Sequence, residues 1–377
     1  MYVVLGIYIF IFILLRVWWG KLRAPEPQRK SLRSFRVSVI IPVRNEEHAL
    51  PLLLKDLQDQ LGEEDRPEIV VVDDHSVDRT SLIVKDFAAH DSAIKLVSFT
   101  GGGGKKCALR EGIHAATGEL IITLDGDVRV GPSWLHSICN HHRANRSKLI
   151  ILPVMTTAEK SVAERLQALE LISLLAVTAS SARAGTPLMC SGANLAFPKV
   201  VWEKMGPHHS DQISSGDDMF FLLRLRTART GPIHWLHDQA ATAWTNSPES
   251  ILGILQQRIR WASKSVAYRE PITLLFTGLV WLTNFAGLLV MVLTVFGAMN
   301  YGSAFIWFAL KTAADVTLAF PAARWLNKGR LLWFAPLLAL IYPIYSVFIS
   351  IAGLFYRPKW KGRTISLRSS EPRISAS

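Results

Sequence analysis

Cysteine and charge are both scarce in this chain, and each shortage narrows what it can be. The three cysteines, Cys107, Cys139 and Cys190, are odd in number and far apart, which excludes a disulfide framework and a cysteine zinc site. The histidine pairs His141-His142 and His208-His209 have no second ligand pair at metal spacing, so no zinc centre is expected. No Gly-Lys-Ser/Thr follows a glycine loop, which excludes a Walker nucleotide site. No basic stripe is interleaved with aromatics, so nucleic acid is not an expected partner. Only 19% of the 377 residues are charged, against 50% hydrophobic, and the mean hydropathy is +0.24. That balance is unusual for a wholly soluble protein.

The apolar excess is local. Val3 to Trp19 and most of Thr273 to Tyr356 are nearly continuous hydrophobic stretches, so membrane attachment follows. A cleaved signal peptide is disfavoured, because basic residues follow the first run instead of preceding it and no small-residue cleavage site appears. Residues 1–20 therefore read as a retained anchor with its amino end outside. Residues 21–35 form a basic linker, with two prolines between Ala24 and Gln28. The net charge of +12 has the same geography: Lys21 to Arg36 and Arg357 to Ser377 each hold six basic residues and one acid, together supplying +10. Basic segments beside apolar ones face anionic lipid and the cytoplasm.

The later apolar segments run from about Thr273 to Met299, Ser303 to Ala322 and Leu331 to Tyr356, within a transmembrane or interfacial region, 271–356. In the second, Lys311 and Asp315 stand four apart and can neutralise each other on one helix face. Two rules conflict over the tail, 357–377. Counting spans places it outside, whereas its basic residues place it in the cytoplasm. The expectation is a cytoplasmic tail, with Leu331 to Tyr356, which contains Pro336 and Pro343, interfacial or re-entrant.

Between these ends, residues 36–270 alternate strand and helix patterns, which predicts an α/β domain with a mostly parallel sheet covered on both faces. Val37 to Ile41, stopped by Pro42, and Ile69 to Val72 are apolar strand runs; Glu47 to Leu61 and the segment from Asp78 or Thr80 to His90 are helices. Ile94 to Val97 is a third strand, Gly101 to Gly104 a loop, and Lys105 to Ala116 a helix opening where amides and lysines favour a phosphate. Leu120 to Leu124 is the key strand. It delivers Asp125 and Asp127 to the carboxyl edge of the sheet, where α/β sheets bind ligands. Two acids one residue apart can share a hard divalent cation, Mg²⁺ or Mn²⁺. The loops at Pro42 to Glu46, Asp73 to Asp78 and Asp125 to Asp127 converge on that edge.

Leu149 to Pro153 is another strand. Ser161 to Ala184 is a long helix, either plain core or lying on the bilayer surface. Ser191 to Asn194 form a turn. Asp217 and Asp218 stand where the helix Met219 to Arg229 opens, and capping alone would need one acid. Glu249 to Ala267 is an amphipathic helix carrying Gln257, Arg260 and Trp261; its Arg-Trp pair suits either an interface anchor or a diphosphate.

Seven segments occur in the order found in one family: Val39-Ile-Ile-Pro-Val-Arg-Asn-Glu46, Val71-Val-Asp-Asp-His-Ser-Val-Asp78, Gly104-Lys-Lys-Cys-Ala-Leu109, Asp125-Gly-Asp127, Gly192-Ala-Asn194, Gly216-Asp-Asp218 and Gln257-Arg-Ile-Arg-Trp261. The chain resembles a membrane-bound family 2 glycosyltransferase of the cellulose-synthase-like branch, which includes hyaluronan synthases and ceramide glucosyltransferases. The resemblance implies a GT-A fold and inverting transfer from a nucleotide sugar, most often a UDP-sugar, to a membrane-associated lipid or glycan. It implies that Asp73 and Asp74 contact the nucleoside, with Pro42, Asn45 and Glu46 lining the pocket and Lys106 near the diphosphate. Asp125 and Asp127 would hold the metal, Asp218 would be the catalytic base, and Asn194, Asp217, Gln257, Arg260 and Trp261 would complete the donor site. The usual Glu-Asp pair is here Asp217-Asp218, and the shorter Asp217 reaches less far. Trp360-Lys-Gly-Arg363 resembles a cytoplasmic segment of related transferases. The resemblance also suggests a bacterial inner membrane protein with a cytoplasmic catalytic domain.

The residue types suit that chemistry. Displacement at an anomeric carbon needs a base on the acceptor hydroxyl and positive charge on the departing diphosphate. A processive polysaccharide synthase is the rival within the class, but three carboxyl-terminal segments are few for a private export channel. A silent nucleotide-sugar-binding scaffold is the rival outside it, disfavoured by the intact acids and Arg-Trp motif.

Overall fold

The computed structural model describes residues 1–25, 35–60, 66–99, 104–157, 159–206, 217–248, 250–265, 268–355, 359–360 and 363–364. Most of the basic linker, Gly101 to Gly103, His208-His209, Ser215-Gly216, Glu249, the Asp217 side chain and most of the tail lie outside the described residues.

Helix α1 (Tyr2–Trp19) comes first. Strands β1 (Val37–Val43), β2 (Glu68–Asp73), β3 (Ile94–Ser98) and β4 (Leu120–Leu124) then pair in parallel in the order β3-β2-β1-β4, linked by α2 (Leu50–Gln58), α3 (Thr80–His90) and α4 (Lys105–Ala115). The strands read as unbroken apolar runs because both faces are covered. Ile40, Val70, Val72 and Ile121 face the core shared with α4, while Val39, Ile41, Val71 and Ile122 face the α2 leucines.

The chain continues through β5 (Val128–Val130), α5 (Trp134–Asn145), β6 (Leu149–Ile151), β7 (Val154–Thr156), α6 (Val162–Arg183), β8 (Asn194–Pro198), α7 (Lys199–Met205), α8 (Asp217–Thr227), β9 (Ile233–Trp235) and β10 (Ala243–Thr245). Strand β8 inserts antiparallel between β4 and β6, and β9 runs parallel to β6, so in the seven-stranded sheet only β8 is reversed. A small sheet, β5-β10-β7, flanks it.

Pro42 does not stop β1 as expected. Pairing with β4 ends at Ile40 while pairing with β2 continues to Val43, so the proline falls where one side of the ladder has already ended. The expected helix from Glu47 begins only at Leu50, because the amides of Glu46 and Glu47 bond to the neighbouring loop.

The remaining helices are α9 (Ile251–Ser265), α10 (Pro271–Val295), α11 (Tyr301–Trp325) and α12 (Ala335–Phe355), the last preceded by a 3-10 turn at Gly329–Phe334. Residues 359–360 (β11) and 363–364 (β12) pair as a two-stranded ribbon. Among the described residues, four segments are long and apolar enough to cross a membrane: Tyr2–Trp19, Pro271–Val295, Tyr301–Trp325 and Gly329–Phe355. The Lys311–Asp315 pair forms as its spacing predicts, at 2.8 Å, and the Tyr8 hydroxyl of α1 donates to the same carboxylate at 2.5 Å. Helix α6 is a core helix, the first of the two alternatives. Its Ile172, Ala176 and Ala179 are core residues, and that core also contains Phe12 of α1 and Leu318 and Ala322 of α11.

Both ends of α12 touch elements joined to the central domain. Before its start, Lys328 pairs with Glu159 and the Arg165 guanidinium lies 5.5 Å over the Phe334 ring. At its end, Gly353 packs so closely on α9 that an added Cβ would lie 3.0–3.2 Å from Ala262 and Ser263.

Candidate active site

The loops after β1 and β2 are laced together. Asn45 N–H donates to the Ser76 hydroxyl (3.0 Å), Glu46 N–H to Thr80 Oγ1 (2.8 Å), Glu47 N–H to Asp78 Oδ2 (3.1 Å), and Val77 N–H to Asn45 Oδ1 (2.9 Å). The buried Arg44 guanidinium donates to the carbonyls of Asp74 (2.6 Å) and His75 (3.1 Å). Asn45 and His75 sit at φ +53° and +57°, a left-handed conformation that asparagine and histidine tolerate better than most residues.

The acids of this loop hold it together. Asp73 Oδ1 accepts from Ser76 N–H at 3.0 Å and Oδ2 from the Ser81 hydroxyl. Asp74 is fully buried; its Oδ2 accepts from Gly104 N–H (2.9 Å), at the entrance to α4, and its Oδ1 bonds His75 Nδ1 (2.9 Å). In this structure Asp74 fixes the loop next to the expected nucleoside pocket. Two further expected site residues are completely buried. Pro42 is enclosed within β1 opposite Val72. Asn194 has no exposed surface, and its amide donates to Pro153 O and Ala241 O (both 2.8 Å) while accepting from the Trp134 indole (3.2 Å). Asn194 clamps Pro153, Ala241 and Trp134 together.

Strand β4 carries the centre of the site. An added Cβ at Gly126 would lie 2.9 Å from Val43 Cγ1 and 3.2 Å from Glu46 Cγ, so the absence of a side chain lets the Asp-x-Asp turn close against the end of β1. The Asp125 carboxylate pairs with the Lys105 ammonium. Burial acts to raise the Asp125 pKa, but Lys105, with Arg260 and Lys264 behind it, holds it below the usual carboxylate range. Burial likewise acts to lower Lys105, and Asp125 and Asp218 together raise it above the ordinary lysine value. No group of three or more metal-ligating side chains occurs among the described residues. The pair Asp125 and Asp127 nevertheless fits a hard divalent ion shared with a diphosphate: two carboxylates leave coordination positions for phosphate oxygens, and Asp125 already attracts an ammonium.

Asp218 reaches this centre through β8. The Thr123 hydroxyl, two residues before Asp125, donates to Gly192 O (2.9 Å), and Gly192 N–H donates to Asp218 Oδ2 (2.8 Å). Asp218 Oδ1 accepts from the adjacent Met219 N–H (2.9 Å), and the second oxygen is held toward β4. Cys190 Sγ donates to the Asp218 carbonyl (3.3 Å), and burial pushes the thiol pKa well up. Burial, then the nearby Asp218, also raises the Tyr268 phenol.

On α9, Arg260 contributes its charge at Asp125, and Trp261 is 38% exposed. Gln257 Oε1 accepts from Arg258 (3.0 Å) and Gln167 (3.4 Å), which ties it toward α6. Arg258 stacks on Trp261, 4.2 Å from the ring, and pairs with Glu170 of α6. Lys105 was expected only as one of two lysines favouring a phosphate, and its pairing with Asp125 is new. The residues not anticipated are Arg44, Lys264, Cys190 and Tyr268.

Residues 38–204 match the profile described as Glycosyl transferase family 2. The Bacillus subtilis protein described as probable glycosyltransferase YdaM is 27% identical over 237 residues, 60% of this chain and 54% of that protein. The bactoprenol glucosyl transferase of Shigella phage SfX is 36% identical over 97 residues, 25% of this chain and 31% of that protein. The chain therefore spans about half the length, or less, of these curated relatives. Among solved structures, the mannosyltransferase PcManGT from Pyrobaculum calidifontis, in complex with GDP-Man and Mn²⁺, shares the fold with a TM-score of 0.61 at 19% identity, over 91% of this chain and 96% of that one. The expected GT-A architecture with membrane helices at both ends is borne out, and the chain carries a family 2 glycosyltransferase domain.

Proposed function

We propose that this enzyme moves a sugar, with inversion, from a UDP-sugar to a lipid or glycan acceptor at the cytoplasmic face of a bacterial inner membrane. The observation that carries this reading is the Asp218 carboxylate, held by Gly192 N–H on the loop bonded to β4 and close enough to Lys105 to raise its pKa together with Asp125. A base and a cluster of cations thus stand on one side of a sheet edge. Asp218 accepts the acceptor's proton as its oxygen attacks the anomeric carbon. Lys105, Lys106 and Arg260 stabilise the charge that builds on the departing diphosphate, where fixed cations in a partly buried site act most strongly. The laced loops at Asn45, Glu46 and Asp73 line the nucleoside pocket, with Asp217 and Trp261 beside the sugar. A divalent ion, Mg²⁺ or Mn²⁺, on Asp125 and Asp127 would add Lewis-acid charge neutralisation at the diphosphate; the Mn²⁺ in PcManGT supports its inclusion.

The packing of α12 supports a cytoplasmic tail. Both of its ends meet elements continuous with the catalytic domain, which suits a helix that dips into the membrane and returns beside α9. Purified enzyme should release UDP from one member of a UDP-sugar panel when membrane lipids are supplied. Excess chelator should stop release and Mg²⁺ or Mn²⁺ restore it. Full turnover in chelator would remove the metal role, and no turnover with any nucleotide sugar would remove the function.

A further inference from the structure

Helix α9 turns two faces in opposite directions. Residues follow one another at about 100° around a helix, so Arg258 and Arg260 diverge by roughly 200°. Arg260, with Lys264 one turn later, stands near enough to Asp125 for its charge to act there. Arg258 faces away from that centre and is 4% exposed. Ala262, one turn after Arg258, is a residue on which Gly353 of α12 packs. One face of α9 therefore belongs to the active site, and the other is held by the helices behind it.

The hold on Arg258 comes from α6. Glu170 Oε2 accepts from Arg258 Nε (2.9 Å) and lies 2.8 Å from Nη2, while Arg258 Nη1 donates to Gln257 Oε1 (3.0 Å). Gln167, one turn before Glu170, donates to the same Gln257 oxygen (3.4 Å). The Tyr342 hydroxyl of α12 donates to the other Glu170 oxygen (3.5 Å). A guanidinium gripped in this way cannot swing without breaking directional, charge-assisted bonds. Deprived of the carboxylate, it would be a stranded charge that gains by turning toward water. Such a turn rotates α9 and carries Arg260 with it.

We infer that Glu170 is a positioning residue for the transfer: by holding Arg258 it sets the rotation of α9, and so directs Arg260 toward Asp125 and a diphosphate bound there. This rests on the proposed function, in which Arg260 stabilises that diphosphate. Helix α6 shares its core with Phe12 of α1 and Leu318 of α11. The orientation of an active-site arginine is thus set by a helix packed against the long apolar helices.

The test is a cycle of binding measurements. Full-length wild type, Glu170→Gln, Arg260→Ala and the two changes together are titrated with UDP and Mg²⁺ by calorimetry, each below its melting transition. UDP carries the diphosphate and no sugar, so loss of the Arg258 stack on Trp261 does not enter the result. Arg260→Ala should weaken UDP binding roughly tenfold or more, the scale of one charge-assisted contact. Glu170→Gln should weaken it about fivefold, within the range of couplings inside one network. Together they should bind UDP no more weakly than Arg260→Ala alone, since Glu170 acts through Arg260. Combining Glu170→Leu with Arg258→Met separates positioning from stability. Apolar contact should restore melting close to wild type, but it is not directional, so UDP binding should stay weakened. Wild-type UDP affinity in folded Glu170→Gln or in the Glu170→Leu, Arg258→Met protein overturns the inference, as do losses that multiply when Glu170→Gln and Arg260→Ala are combined; the transferase reading survives either result. A wild type that binds no UDP overturns both.

Discussion

The Glu170–Arg258 pair joins α6 to α9, and removing half of it should cost more than removing all of it. Arg258 is 4% exposed and the Glu170 side chain 10%, so neither partner has enough water to replace the other. Arg258→Met leaves a buried carboxylate and Glu170→Leu a buried guanidinium; stranding one charge costs roughly 3–5 kcal/mol, whereas replacing both with apolar groups is close to neutral. At about 2–4 °C per kcal/mol for domains of 150–250 residues, each single variant should melt about 10 °C below wild type. The double variant should recover most of that loss. Thermal melting in detergent, at one fixed scan rate because membrane enzymes unfold irreversibly, reads the difference. Arg258 also stacks on Trp261, so the double variant should regain stability without regaining full transfer. Single variants melting with wild type, or a double variant no better than either, would refute the reasoning.

Asn194→Ala strands two carbonyls and an indole N–H, at about 1–3 kcal/mol each, so the variant should be poorly stable yet keep an unchanged KM for the UDP-sugar; normal melting with a raised KM would return Asn194 to the donor site. In the wild type Lys105 holds the Asp125 pKa down, so the carboxylate stays charged to lower pH than usual. Lys105→Met should therefore move the acid limb of kcat/KM to higher pH, and an unmoved limb would separate Lys105 from Asp125. A cysteine in place of Ser370 should resist an impermeant thiol reagent applied to intact cells; labelling from outside would place the tail across the membrane.

The sheet was legible because its strands are buried on both faces and so appear as unbroken runs such as Val39 to Ile41. The cleft was legible because its acids follow those runs directly. Roles within the cleft were harder to read. Asp73 and Asp74 are adjacent in sequence, but the strand turns the second inward, to the amide of Gly104, a contact 30 residues away. Asn194 gives a similar lesson: a motif position shows that a residue matters, and only the partners at Pro153, Ala241 and Trp134 show that it matters for the fold. That Lys105 is the lysine paired with Asp125 depends on the helical phase at the start of α4, which neighbouring lysines do not disclose. Reversed strand β8 could not be anticipated either, since its orientation depends on pairing to both β4 and β6.

The base assignment is most directly tested by Asp218→Asn, measured for donor affinity and turnover on the same purified protein. Asparagine keeps the shape and can still open α8, but it cannot take a proton. Turnover should fall by roughly a hundredfold or more, on the scale of general-base contributions, with UDP-sugar affinity near wild type. Wild-type turnover in a variant that binds donor normally would contradict the account.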